Sequence, residues 1–184
     1  MLFCFNVNLS DKDYFDYNSF WMTKSPYGKK QLTQTRIILT ALFAVIFVLT
    51  LASKEFSTDT FISLITYFVL FCFLQLTFKP LVVWMLKIQI SSLKKKGNMG
   101  YSAVSTLEFF DDRFVETAAT NKTEQQYSSI ERISIIEDKI LYIHVNNIMS
   151  YLLPFSCFES TAQRDSFLEF IKTKCAKIDI YKKN

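Results

Sequence analysis

His144 is the residue whose chemistry at neutral pH is easiest to define, because an imidazole titrates at about pH 6.5. It is the only histidine of the chain, and it lies in the alternating segment from Ile140 to Val145, which predicts a β-strand. General-base catalysis needs a nucleophile placed beside the base, and no spacing around His144 supplies one. The HExxH and hydrolase-elbow motifs are also missing from the sequence. We therefore predict no catalytic residue and a protein that is not an enzyme.

Paired acids and thiols are the other groups that could bind a metal or form a covalent intermediate. Asp111 and Asp112 could act as metal ligands or as an acid–base couple, but such a pair is more typical of a solvated hairpin turn. The four thiols are spread widely and form no CxxC pair: Cys4, Cys72, Cys157 and Cys175. This spacing favours reduced thiols facing the cytosol over a disulfide framework or a zinc site. We predict no metal and no cofactor.

The strongest local charge is the run Lys94, Lys95 and Lys96, which follows a long apolar segment. Each lysine close to anionic lipid contributes about 1 kcal/mol of binding. The three lysines are therefore the candidate site of this sequence, a contact with the membrane surface that would hold the C-terminal domain to the bilayer. The alternative is that they only fix the membrane topology. The net charge of +4 is too small and too close to the membrane to predict nucleic-acid binding.

Two apolar runs in the middle of the chain predict membrane-spanning helices. IILTALFAVIFVLTLAS covers residues 37–53, and FISLITYFVLFCFLQLTF covers residues 61–78 before Lys79, Pro80 and a further apolar stretch. Seventeen helical residues rise about 25 Å, which is just enough for a hydrocarbon core of about 30 Å. A soluble helical hairpin would show a polar stripe on each helix, and these runs show none. We predict a transmembrane hairpin over residues 37–86, with spans at about 37–53 and 61–80, in which Pro80 kinks or ends the second span.

The basic residues predict the orientation of this hairpin. Lys24, Lys29, Lys30 and Arg36 precede the first span, and Lys79, Lys87 and the three lysines at 94–96 follow the second. The loop LASKEFSTDTFIS between the spans has a single lysine beside two acids. The positive-inside rule therefore predicts a multi-pass protein of the cell membrane, with both termini in the cytoplasm.

The flanking regions predict cytosolic structure. Residues 1–36 begin with an alternating strand, Phe3, Phe5 and Val7, followed by a helix capped at Ser10 and stopped before Gly28. Because this strand has no neighbour nearby in sequence, we expect it to pair with a sheet from the other end of the chain. Residues 87–104 read as a basic juxtamembrane linker.

Residues 105–184 predict strands followed by one helix. Turns are expected at 111–112, 121–124, 137–139 and 146–147, with strands at 140–145 and 150–155. The capping box at residues 160–163 opens a helix to about Ala176, and an apolar stripe at Phe167, Phe170, Ile171 and residues 174–175 should cover the sheet. The fold class is thus an α+β membrane protein, with a pleckstrin-homology-like sheet closed by a C-terminal helix.

The motifs NLSDKDYFDYNSF, KKKGNMG, LEFFDDRF and YLLPFSCF, in this order around two spans, resemble the YcxB-like membrane proteins of bacteria. The resemblance implies a location and a fold and implies no activity. Two functions stay open. The cytosolic domain could bind a protein or a lipid headgroup. The predicted partners are the lipid bilayer and, in addition, either an anionic lipid or a membrane protein. Alternatively, the protein could be an immunity or transport accessory protein against membrane-active peptides that acts through its spans.

Overall fold

The computed structural model describes residues 1–53, 57–96, 102–146 and 149–182. Its elements, in chain order, are β1 (Phe3–Asn8), α1 (Asp11–Thr23), α2 (Pro26–Ser53), α3 (Thr58–Lys95), β2 (Val104–Phe109), β3 (Arg113–Ala118), β4 (Lys122–Gln126), β5 (Arg132–Ile136), β6 (Ile140–His144), β7 (Ser150–Pro154), α4 (Thr161–Lys174) and β8 (Ile178–Tyr181). The chain divides into two compact units. The sheet unit comprises Met1–Lys12 and Gly100–Asn184, and the helical unit comprises Asp13–Met99. This arrangement is α+β, as the sequence predicts.

The sheet unit contains two four-stranded sheets. The first has the strand order β1-β2-β3-β4, and every pairing in it is antiparallel. The second has the order β7-β6-β5-β8, in which β8 runs parallel to β5 and the other pairs are antiparallel. Helix α4 adds Phe167 and Ile171 to the core that the strands share.

The first strand pairs with a strand that follows the two long helices. Phe5 lies opposite Leu107, and Asn8 lies opposite Val104. Phe5 and Val7 are buried in the core, whereas Cys4 and Asn6, which precede each of them, are exposed, as the alternation predicts. The predicted pairing of the N-terminal strand with the C-terminal sheet is therefore confirmed. Consequently, residues 9–103, which include both long helices, are inserted between two adjacent strands of one sheet.

Aromatic side chains form the centre of the sheet unit. The ring of Phe167 lies 5.0 Å from the ring of Phe5 and 4.8 Å from that of Phe109, and the ring of Phe158 lies 4.7 Å from that of Phe5. All three pairs are edge-to-face, an arrangement that aromatic quadrupoles favour. One core is thus shared by β1, by β2, which follows the two long helices, and by α4.

Several local predictions are confirmed, and others need correction. Glu137 and Asp138 have φ angles of 51° and 52°, which a tight hairpin turn requires, and β2 and β3 flank the Asp111–Asp112 turn. The capping box is present: the Ser160 hydroxyl accepts a hydrogen bond from the Gln163 N–H at 3.1 Å. The predicted break at 121–124 is confirmed only at Asn121, because β3 ends at Ala118 and β4 already begins at Lys122.

The end of the chain differs from the prediction in two ways. Helix α4 ends at Lys174, two residues earlier than expected, and it is followed by β8, a strand that the sequence pattern did not predict. Of the predicted turn at 146–147, residue 147 lies outside the described residues. Strand β8 was missed because a four-residue IDIY segment directly after a helix has too few alternations to define a period.

In the helical unit, a tight corner joins α1 to α2. The Ser25 hydroxyl accepts a hydrogen bond from the Gly28 N–H at 3.0 Å and donates one to the Trp21 carbonyl oxygen, so that it caps α2 while closing α1. A Cβ at Gly28 would overlap the carbonyl oxygens of Trp21 and Met22, so only glycine fits this close approach. The predicted stop before Gly28 is thus confirmed.

Helices α2 and α3 are both long and apolar enough to cross a membrane. Their most apolar windows are 0% and 6% buried, whereas a core helix of a soluble protein would be mostly buried. Both helices extend beyond the predicted spans, and α3 continues through Pro80 to Lys95. Pro80 therefore does not end the helix, although it removes one backbone donor.

Candidate functional site

A polar cluster joins the two long helices. The Arg36 Nε donates to the Gln75 side-chain oxygen at 3.1 Å, and the Arg36 Nη2 donates to the Gln75 carbonyl oxygen at 3.2 Å. The Gln75 amide nitrogen in turn donates to the Thr40 hydroxyl at 3.1 Å, and the Arg36 guanidinium lies over the Phe78 ring at 5.8 Å. We call these residues the Arg36 cluster. Interhelical hydrogen bonds of this kind stabilise helix pairs in membranes by about 1 kcal/mol each.

The depth of the Arg36 cluster follows from the helix lengths. Residues 36–53 and residues 58–75 each rise about 27 Å, at 1.5 Å per residue, so Arg36 and Gln75 lie at the same distance from the tip of the hairpin. A hydrocarbon core is about 30 Å thick. The cluster therefore lies where such a core would end on the side away from the tip.

Charge is distributed unevenly around this level. Residues 24–36 and 79–96 carry nine Lys and Arg and no Asp or Glu. By contrast, residues 105–184 carry ten Lys and Arg against twelve Asp and Glu. The basic charge of the protein is thus concentrated on the ends of α2 and α3 and is not a property of the sheet unit.

The lysines predicted to contact the membrane surface lie at the end of α3. Lys94 and Lys95 are in its last turn, where cations interact favourably with the helix dipole, and Lys96 caps it. Residues 79–95 continue α3 for about 25 Å beyond Phe78. This extension was not predicted, because Pro80 was expected to kink or end the span. The lysines are therefore separated along the helix from the Arg36 cluster, and their contact with lipid stays a prediction. Of the KKKGNMG motif, residues 97–100 lie outside the described residues.

His144 is enclosed in the second sheet of the sheet unit. Its side chain is 1% exposed, its Nε2 lies 3.0 Å from the Ser134 hydroxyl, and its Nδ1 lies 2.7 Å from the Ser150 hydroxyl. Burial, assisted by the nearby charge of Arg132, lowers the pKa of His144 to about 4. The neutral imidazole is therefore held between two hydroxyl groups on neighbouring strands.

Sequence reasoning missed the two serines, although they lie on either side of His144 in the sheet. Ser150 stands directly opposite His144 in the register of β6 and β7, while Ser134 comes from β5. Only the strand pairing brings them together, and the pairing could not be read from spacing along the chain. With both ring nitrogens engaged and the side chain buried, this triad acts as a structural link between three strands.

The acids of the β2–β3 turn make ion pairs on the surface. The Lys174 Nζ lies 3.2 Å from an Asp111 carboxylate oxygen and 2.8 Å from its backbone carbonyl oxygen, and Arg113 pairs with Asp112 at 3.0 Å. Among the residues that the structure describes, no group of three or more His, Cys, Asp or Glu side chains could hold a metal ion. The turn assignment of the paired acids is confirmed, since β2 and β3 pair on either side of them.

Comparison with known proteins gives one match. Neither the curated proteins nor the solved structures contain a match to this chain. The family model described as YcxB-like protein matches residues 109–171, from the last residue of β2 into α4. The segment from Phe109 to Ile171 is therefore similar to the YcxB-like family.

Proposed function

We propose that this protein is a two-span protein of the bacterial cell membrane, whose cytosolic sheet unit binds another protein. The observation that carries the proposal is the pairing of β1 with β2. Because these strands belong to one sheet, they lie on the same side of any membrane, and the segment between them must cross it an even number of times. Helices α2 and α3 supply two crossings.

The charge distribution favours the cytoplasmic side for the sheet unit. The nine basic residues of segments 24–36 and 79–96 flank the spans on the side of the sheet unit, and basic flanks stay in the cytoplasm. Both termini would then be cytoplasmic, and the end of α2 at Ser53 and the start of α3 at Thr58 would face outward.

The strand order supports a pleckstrin-homology-like domain. Four antiparallel strands, β1 to β4, are followed by three more, β5 to β7, and then by helix α4, whose Phe167 and Ile171 close the core. In this reading β8, which adds to the second sheet beside β5, is an extension of the domain. The membrane hairpin occupies the connection between its first two strands.

A protein is the partner that fits the sheet unit better than a lipid headgroup. Residues 105–184 carry an excess of acidic over basic residues, so an anionic bilayer would repel the domain. Catalysis is not part of the proposal, because His144 is buried with both ring nitrogens bonded to hydroxyl groups and offers no base to a substrate. Nucleic acid is disfavoured by the same acidic balance.

The function is tested by site-specific photocrosslinking of the full-length protein in its native membrane. A photoreactive residue replaces Gln126, which is exposed on the edge strand β4, or Leu76, which is 83% exposed on α3. We expect a protein adduct from the Gln126 position and only lipid adducts from Leu76. Protein adducts from Leu76 alone would instead favour an accessory or immunity role that acts through the spans.

A further inference from the structure

A groove beside the Arg36 cluster changes from polar to apolar along one face of α2. It has a volume of about 490 Å³ and is lined by Thr33, Arg36, Ile37, Thr40, Ala41 and Ala44. These positions follow the helical period, so the polar residues lie at one end and the small apolar residues at the other. From Arg36 to Ala44 the groove extends about 12 Å along the helix toward the tip of the hairpin.

The guanidinium at the polar end is oriented and still has donors to offer. Two of its nitrogens donate to Gln75, and the Phe78 ring lies beneath it, so its plane is fixed relative to both helices. A guanidinium has five N–H donors and forms paired hydrogen bonds with phosphate oxygens. Because Arg36 is exposed, the donors that Gln75 does not use remain accessible from the groove.

We propose that this groove binds an anionic phospholipid of the cytoplasmic leaflet. The phosphate is held by the Arg36 guanidinium at the polar end of the groove, and one acyl chain lies along Ile37, Ala41 and Ala44. The site rests on the proposed membrane hairpin, because the level of Arg36 is that of headgroups only if the spans are inserted. It is separate from the protein-binding role of the sheet unit.

Charge complementarity favours a lipid over a second copy of the chain in this groove. Residues 24–36 and 79–96 contain no acidic residue, so a second hairpin at the same level would bring further basic charge toward Arg36. An anionic headgroup offsets that charge. The small side chains at Ala41 and Ala44 leave room for a chain of methylene groups against the helix.

The test is a lipid competition followed by native mass spectrometry. Purified full-length protein in a neutral detergent is mixed with equal amounts of phosphatidylglycerol and phosphatidylcholine, and the retained lipid is counted. We expect one preferentially retained phosphatidylglycerol. Arg36→Gln should reduce this retention about tenfold or more, equivalent to about 1.4 kcal/mol. Ala41→Leu, which fills the groove and removes no charge, should reduce it as well.

Lys87→Gln is the matched control, since it removes one charge from α3 about 18 Å along the helix from Gln75. It should leave the preference unchanged. Equal retention of both lipids, or equal losses in Arg36→Gln and Lys87→Gln, would overturn the site. A protein dimer that Ala41→Leu dissociates would show that a second copy fills the groove. Failure of the hairpin itself has a different readout, because the protein would then remain monodisperse without detergent.

Discussion

Replacing Phe5 with alanine is expected to lower the free energy of unfolding of the sheet unit by about 3–5 kcal/mol, the usual cost of removing a buried phenylalanine side chain. Phe5 is 1% exposed, and its ring contacts those of Phe109, Phe158 and Phe167. The loss would reveal that the first residues of the chain complete a core whose other members follow the two spans. Denaturant unfolding of the full-length protein in detergent, monitored by protease resistance of the sheet unit, measures it.

Cys4→Ala is the matched control for Phe5→Ala. Cys4 is the preceding residue of β1 and is exposed on the opposite face of the strand, so its replacement should change stability by less than about 0.5 kcal/mol. If both variants unfolded at the same denaturant concentration, β1 would not contribute to the core. The inference that β1 and β2 lie on the same side of the membrane would then have no support.

Acidification from pH 6.5 to pH 4 is expected to cost the sheet unit up to about 3 kcal/mol through His144 alone. The folded state holds the pKa of His144 at about 4, against 6.5 for an unperturbed histidine. In this window the unfolded chain therefore binds a proton that the folded chain does not, and stability falls as the pH falls. The contribution is complete above pH 6.5, and below the folded pKa the decrease levels off.

The pH effect of His144 is isolated by comparison with His144→Gln. Acidic residues also titrate near pH 4, but they are common to both proteins, so the difference between the two stability curves belongs to the histidine. The wild type should lose stability relative to the variant across this window. Parallel curves would mean that the pKa of His144 is the same in the folded and unfolded states, and that burial between the two hydroxyl groups does not lower it.

The parts of the fold that sequence predicts are those set by local periodicity. The alternation of Phe3, Phe5 and Val7 indicates β1, and the two uninterrupted apolar runs indicate α2 and α3. Asp138 indicates the turn, since the short side chain of aspartate tolerates a positive φ, whereas the positive φ of the neighbouring Glu137 could not be read from its residue type. The partner of β1 was predicted by a further step, because an unpaired strand edge is a liability.

The parts that sequence does not predict depend on register between distant segments. Arg36 and Gln75 are 39 residues apart, and only the way α2 packs against α3 brings them together. The same is true of Ser134 and Ser150 around His144. Continuation of α3 to Lys95 also departs from a local signal, because Pro80 removes one backbone donor and yet does not end the helix.

Cysteine accessibility in whole cells tests the central claim. The claim is that α2 and α3 form a membrane hairpin and that this hairpin lies, in sequence, between the first two strands of a cytosolic sheet unit. In a variant without the four native cysteines, single probes replace Ser57, at the start of α3, and Asn121, in the β3–β4 turn. A membrane-impermeant maleimide should label Ser57→Cys from outside and should label Asn121→Cys only after the cells are broken. Labelling of Asn121→Cys in intact cells, or protection of Ser57→Cys together with release of the protein from membranes by carbonate, would contradict the inserted hairpin.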